Sequence, residues 1–294
     1  SGDIVATGTL DSGGTMPDLT PLFVGSEGTL GYITSIMVRL IDAPESARTM
    51  LVFFPRAGDA AAAVSAILKE RLLPSVLEFL DRMTLKAITG YVPLEVPEQA
   101  EAMLLIEVDG KEDIVGEELI SVIGVCREYQ GFHIEEASDT KERDQLWSLR
   151  RSVSPSLSRL ASGKINEDVC VPRGELIKLV EWCQDVSKDT GLMIPVYGHA
   201  ADGNLHVNVM YNSEDRLQGK LAYETVERIL AKTLELGGTL SGEHGIGRSK
   251  RSYLSMQFDP HAITYFRGIK HVWDPEGLFN PDIMYPSENI MESP

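Results

Sequence analysis

Residues 50–80, MLVFFPRAGDAAAAVSAILKERLLPSVLEFL, decide the fold. Met50–Phe54 is a short apolar run rich in strand-forming residues, Gly58–Arg71 is an Ala-rich helix candidate, and Ser75–Leu80 is a second strand candidate. The same order recurs downstream, with Met103–Val108, Ile114–Tyr129 and His133–Ala137 as strand, helix and strand. Two successive βαβ units predict a ferredoxin-like, open-faced α+β sheet.

On the N-terminal side the texture changes. Gly2, Gly8, Gly13, Gly14, Gly25, Gly28 and Gly31 punctuate short β-like runs that end in the expected strand Ile33–Leu40, the tail of a larger sheet. Ala43-Pro44-Glu45-Ser46 marks a boundary. On the C-terminal side, Thr140–Leu160 is mainly helical and Arg173–Thr190 is a strong amphipathic helix. Met193–Tyr197 and Leu205–Tyr211 are β-like and flank a loop rich in Gly and His. Glu214–Leu236 is helical up to Gly237-Gly238, and a last helix around Pro260–Val272 is broken by Asp274-Pro275-Glu276-Gly277. There is no internal repeat beyond the paired βαβ units and no low-complexity segment.

The 294-residue chain is 43% hydrophobic, ordinary for a packed core, and no apolar run approaches the ~20 residues a membrane helix needs. No transmembrane segment or signal peptide is therefore expected, and the protein is placed in the cytoplasm, associated with a membrane only through a partner. The 44 acidic against 27 basic residues, a net charge of −17, argue against nucleic acid, whose phosphates need clustered Lys and Arg. Cys126, Cys170 and Cys183 are odd in number and unspaced for a CxxC pair, so they are expected to be reduced and structural.

Gly198-His199-Ala200-Ala201-Asp202-Gly203-Asn204-Leu205-His206-Val207-Asn208 carries two histidines seven residues apart at the ends of a Gly-containing loop that can fold both imidazoles onto one ion. Ser241-Gly242-Glu243-His244-Gly245-Ile246-Gly247 is a second Gly-flanked pair of candidate ligands. Two histidines and a glutamate suit a divalent metal that keeps positions open for substrate. A lone histidine more often caps a turn or satisfies a buried backbone group. Here three of six histidines fall in two such segments beside acidic residues, which favours the metal; His133, His261 and His271 lack such settings and are read as surface or structural.

The GHxxDGNLHxN pattern at 198–208 and the SGEHGIGxxK pattern at 241–250 resemble the FAD-linked oxidase family of glycolate oxidase flavin subunits, D-lactate dehydrogenases and D-2-hydroxyglutarate dehydrogenase. The resemblance extends along the chain. Gly25-Ser26-Glu27-Gly28-Thr29-Leu30-Gly31-Tyr32-Ile33-Thr34 is similar to a late flavin-binding segment of that family, and Asp274-Pro275-Glu276-Gly277-Leu278-Phe279-Asn280-Pro281 to its C-terminal return to the flavin. It implies that residues 1–44 are the end of an FAD-binding domain, 45–272 a ferredoxin-like cap (substrate) domain, and 273–294 a segment returning to the flavin domain.

Carried over residue by residue, the resemblance makes His199, His206 and Glu243 the metal ligands, with zinc as the default ion, and His244 the base. Arg150, Ser154, Lys164 and Asn208 would bind the substrate, and Gly25, Ser26, Glu27, Gly28, Thr29, Gly31, Ile33 and Asn280 would contact FAD. Arginine suits a carboxylate because its planar fork meets it bidentately. Without the resemblance, Arg150 and Arg151 read as a solvated helix face. Ala201, Ser154 and Asp282 depart from residues common in the family; none removes a ligand, but they leave the substrate branch open. The family's Gly-rich pyrophosphate loop is missing from the sequence, and Gly13-Gly14 does not replace it, so the chain reads as a fragment.

The implied activity is oxidation of a small D-2-hydroxyacid to a 2-oxoacid, with electrons leaving FAD for an acceptor protein or quinone. The alternative is a metal- and acid-binding module, catalytically incomplete without its flavin lobe. A metal-dependent hydrolase would use the same ligands to activate water, and the flavin-type segments on either side argue against it.

Overall fold

A computed structural model describes residues 2–8, 17–89 and 95–285. Gly13 and Gly14 lie outside the described residues. The chain divides into two compact units, residues 1–42 with 244–294, and residues 43–243.

The first unit begins with a short helix α1 (Thr20–Phe23). Among the described residues no strand forms over 33–40, contrary to the sequence reading. Ile33, Ile36, Met37, Val38 and Leu40 are all exposed there, Leu40 by 84%. A strand exists only through hydrogen bonds to a neighbour, and none of the described residues supplies one to this run.

The second unit runs β1 (Ser46–Phe54), α2 (Ala57–Lys69), β2 (Val76–Asp81), α3 (Arg82–Ile88), β3 (Ala102–Gly110), α4 (Glu112–Glu128) and β4 (Phe132–Glu136). It continues through α5 (Thr140–Leu157), β5 (Gly163–Cys170), α6 (Leu176–Thr190), β6 (Val196–His199), β7 (Asn204–Tyr211) and α7 (Arg216–Glu235). The chain then returns to the first unit with α8 (Leu254–Gln257) and α9 (Pro260–Trp273).

One seven-stranded sheet carries the second unit, in the order β4-β1-β3-β2-β6-β7-β5 with every ladder antiparallel. Its first four strands and the crossovers α2 and α4 form the ferredoxin-like βαββαβ arrangement that the sequence predicts. Residues 49–54 of β1 are buried without alternation, because the strand is covered on both faces. One face packs Leu51, Phe53, Leu80, Met103 and Leu105 against Leu85 of α3 and against Leu149, Val153 and Leu157 of α5.

Helix α5 is fixed at its start and along its length. The Asp139 side chain accepts from the backbone N–H of Glu142 at 2.8 Å, and the Glu142 carboxylate accepts from the backbone N–H of Ser138 at 2.8 Å, a reciprocal cap. Further along, the buried Glu107 of β3 accepts from Thr49 Oγ1 at 2.5 Å, from Arg143 Nε and Nη2 at 2.8 and 2.7 Å, and from Trp147 Nε1 at 2.9 Å. These bonds pin the α5 face that also carries Arg150.

Cys126, Cys170 and Cys183 are free, and burial pushes the Cys126 thiol up to about 12. No helix among the described residues is long and apolar enough to cross a membrane.

Candidate active site

Side chains opposite one another on neighbouring antiparallel strands point to the same face of a sheet. Glu78 faces His199 across β2 and β6, Tyr197 faces His206 across β6 and β7, and Asp168 faces His206 across β7 and β5. Asn166 faces Asn208, and Lys164 faces Met210, two and four residues further along the same ladder. One sheet face therefore gathers Glu78, Tyr197, His199, His206, Asn208, Lys164 and Asp168.

The two histidines are not the ends of a free loop, as their spacing suggests. They are diagonal neighbours in a hairpin, with His199 closing β6 and His206 inside β7, and their rings stand edge to face with centroids 5.5 Å apart. Gly203 makes the hairpin turn: its φ of +75° lies in the left-handed region, and a side chain there would strike the carbonyl of Val171. Glu243, beyond α7, brings Oε1 to 3.5 Å from His199 Nε2 and 3.7 Å from His206 Nε2. The three expected ligands thus converge.

Two buried carboxylates stand behind this donor set. Glu78 Oε1 is hydrogen-bonded to His199 Nδ1, and its Oε2 accepts from Arg150 Nε at 2.5 Å. Burial works to raise the Glu78 carboxyl, but the bonds and charges of His199 and Arg150 outweigh it and hold the group below its ordinary value. The bond to Glu78 correspondingly raises His199. Asp168, fully buried, places Oδ1 3.9 Å from His206 Nδ1, while its Oδ2 accepts from Ser241 Oγ and from the backbone N–H of Gly242 and Glu243 at 2.8–2.9 Å. Asp168, His206 and Glu243 each offer a ligand atom, all within 4.8 Å of one another.

The expected substrate-binding residues also meet. The Arg150 guanidinium lies 4.9 Å over the Tyr197 ring, and the His206 ring lies 5.0 Å from the same ring. Lys164 Nζ donates to Ser154 Oγ at 3.1 Å, and burial lowers the lysine from its ordinary value. Asn208, fully buried, donates Nδ2 to the His206 carbonyl at 3.1 Å and leaves its carboxamide oxygen with no donor.

In the first unit, the flavin-type segment is folded onto itself and onto the loop after His244. Glu27 Oε1 and Oε2 accept from the backbone N–H of Ile246 and Gly247 at 2.6 and 2.8 Å, Asn280 Nδ2 donates to the Glu27 carbonyl at 2.5 Å, and Thr29 Oγ1 donates to the Ser26 carbonyl at 2.7 Å. Gly25 and Gly28 hold φ of +80° and +70°, and Ile33 is exposed. His244 opens the second segment of this unit and follows Glu243 directly in the chain.

Sequence reasoning missed Glu78, Asp168 and Tyr197. Asp168 lies in β5, which Lys164, Asn166, Glu167 and Asp168 make too polar to read as a strand. Glu78 falls inside a recognised strand, and a single acidic residue at a position with period two was the only signal.

Residues 43–283 match the C-terminal domain of the FAD linked oxidases, and the chain belongs to that family. Among individual relatives it is 35% identical over 291 residues to the glycolate oxidase subunit GlcD of Bacillus subtilis, covering 98% of this chain and 62% of that protein. It is 33% identical to GlcD of Escherichia coli K12, covering 92% and 54%, and 31% identical to a probable mitochondrial D-lactate dehydrogenase of Danio rerio, covering 90% and 53%. The chain thus spans little more than half the length of these curated relatives. A solved 4-ethylphenol oxidase from Gulosibacter chungangensis superposes with a TM-score of 0.67 at 15% identity, covering 95% of this chain and 61% of that one, a likeness of fold.

Proposed function

We propose that this chain is the substrate-side portion of an FAD-dependent dehydrogenase that oxidises a D-2-hydroxyacid of the lactate and glycolate class to the 2-oxoacid. The observation that carries the reading is that His199, His206, Lys164 and Asn208 share one sheet face, with Glu243 brought up to both histidines and Arg150 of α5 tied to the same face through Glu78. The glycolate oxidase and D-lactate dehydrogenase names of the relatives supply the substrate class.

The donor chemistry fits a divalent metal. Because Nδ1 of His199 is engaged by Glu78, its Nε2 is the ligand atom, directed toward Glu243. His206 presents Nε2 to the same carboxylate. Nitrogen and carboxylate ligands suit Zn²⁺, which when bound supplies the Lewis acidity that lowers the pKa of a substrate hydroxyl. Arg150 takes the substrate carboxylate through its two Nη groups, since Nε is already bonded to Glu78. Lys164 and Ser154 flank it. The donorless carboxamide oxygen of Asn208 accepts the substrate hydroxyl before it ionises. His244 then receives that proton on a ring nitrogen.

FAD, the cofactor of the family, supplies the acceptor for the Cα hydride. In this chain Gly25, Ser26, Glu27, Gly28, Thr29, Gly31, Ile33 and Asn280 are its contacts; the side chains of Glu27 and Asn280 are committed within the unit, which leaves backbone groups and apolar surface to meet a flat ring. The partner that would take up the electrons is an acceptor protein or a quinone, and the enzyme is placed in the cytoplasm, reaching a membrane only through that partner.

A second reading, for the chain by itself, is a metal- and acid-binding module that is catalytically incomplete without a flavin lobe. Elemental analysis and an absorption spectrum of the purified chain test both. Metal near one per chain with a flavin band, and reduction of that band by D-lactate or glycolate, supports the dehydrogenase; metal without flavin supports the module. Failure to take up Zn²⁺ or Mn²⁺ supplied in excess overturns the metal site.

A further inference from the structure

We infer that Glu78 is a positioning residue that ties the metal ligand His199 to the acid anchor Arg150, so that occupation of one half of the site changes the affinity of the other. The inference rests on the metal and acid sites proposed above and extends them to a residue outside both. Glu78 is 5% exposed and lies on β2, and its two oxygens are divided between two partners, Oε1 to His199 Nδ1 and Oε2 to Arg150 Nε. An ionised carboxylate only accepts, so both partners donate, and the bond fixes the His199 proton on Nδ1 and frees Nε2 for a metal.

The direction of the effect follows from the shared charge. Arg150 draws on the same carboxylate that polarises His199. When the carboxylate of an acid binds the guanidinium, Arg150 holds Glu78 less tightly, Glu78 bonds His199 Nδ1–H more strongly, and the imidazole becomes a better ligand. Acid binding then tightens metal binding, and by linkage metal tightens acid by the same factor. Glu78 itself touches neither ion nor acid in this scheme.

The test is a double-mutant cycle on Mn²⁺ affinity of the full chain, followed by the electron paramagnetic resonance signal of free Mn²⁺ with no acid present. Glu78→Gln is expected to weaken Mn²⁺ by roughly 10- to 100-fold, the range for loss of a carboxylate behind a histidine ligand. Arg150→Gln, which removes a competitor for Glu78, is expected to tighten Mn²⁺ several-fold in the otherwise native chain and to have a much smaller effect in the Glu78→Gln background. A merely structural Glu78 gives no such dependence of one substitution on the other. If Glu78→Gln melts below the assay temperature, Glu78→Asp replaces it, since the side chain one methylene shorter cannot reach both partners and should weaken Mn²⁺ as well. Native Mn²⁺ binding with additive effects overturns the tie through Glu78 alone, whereas a native chain that binds neither Mn²⁺ nor Zn²⁺ overturns the metal site with it.

Discussion

The buried carboxylate of Asp168 accepts the backbone N–H of Glu243 at 2.8 Å. Through that bond, and those from Gly242 N and Ser241 Oγ, a strand residue fixes the segment that presents a candidate metal ligand. The position of Glu243 is thus set by its own main chain, which explains how a side chain half open to solvent is held near two histidines. Asp168→Ala strands these donors, each at a cost of roughly 1–3 kcal/mol where buried. We expect lower stability in urea unfolding and at least tenfold weaker Zn²⁺ binding by competition with a chelating dye. Unchanged Zn²⁺ affinity in a folded variant would show that the loop needs no such anchor.

The proposed ligands and base separate under substitution. His206 is 5% exposed and its Nε2 faces Glu243, so His206→Ala should lose about two orders of magnitude in Zn²⁺ affinity and, in the flavin-containing enzyme, its turnover. His244→Ala should retain the metal and lose about 10²–10⁴-fold in turnover, as removal of a general base does. Metal analysis beside D-lactate and glycolate assays checks both, and full metal retention in His206→Ala removes that residue from the ligand set.

The ferredoxin-like half of the sheet was legible in sequence because Met50–Phe54, Ser75–Leu80 and Met103–Val108 are apolar strands set between helices of clear periodicity. The site face was only half legible. His199, His206 and Glu243 stand out because they cluster in Gly-rich segments, whereas Glu78, Tyr197 and Asp168 owe their places to ladder register, which joins residues 78, 168 and 199 that no local pattern connects. Residues 33–40 show the opposite failure: the apolar pattern of a strand is present, but among the described residues there is no neighbour with which to pair.

Gly242 is required by what faces it. A Cβ added there would lie 2.6 Å from the carboxamide of Asn204, a buried side chain next to the hairpin turn. Gly242→Ala must therefore displace either the turn between His199 and His206 or the segment that carries Glu243. Overpacking of this kind costs roughly 1–3 kcal/mol. The expected signature is a loss of metal affinity of tenfold or more that exceeds what a comparably destabilised variant remote from the site shows. A Gly242→Ala chain with native metal affinity would mean that the segment relaxes without moving Glu243.

Asp81 gives the second unit a stability that falls as pH rises. Its side chain caps α3 by accepting from Thr84 N at 2.8 Å, but it is 1% exposed, with Oδ2 lacking a hydrogen-bond donor. Burial pushes its carboxyl up from 3.8 to about 6, against the bonds from Thr84 and the Val196 backbone and with the help of Glu101; Cys183 is the other titratable neighbour. The folded state thus holds a proton that the unfolded chain releases at lower pH, so stability is highest below the unfolded value, declines as pH rises through the interval from about 4 to about 6, and is flat above it. The span corresponds to about 3 kcal/mol as an upper figure. Asp81→Asn keeps an oxygen for Thr84 and removes the ionisation, so urea unfolding should find the variant more stable than the native chain at pH 8, with the advantage shrinking toward pH 4. An advantage that does not depend on pH would place the cost of Asp81 in packing rather than in its charge.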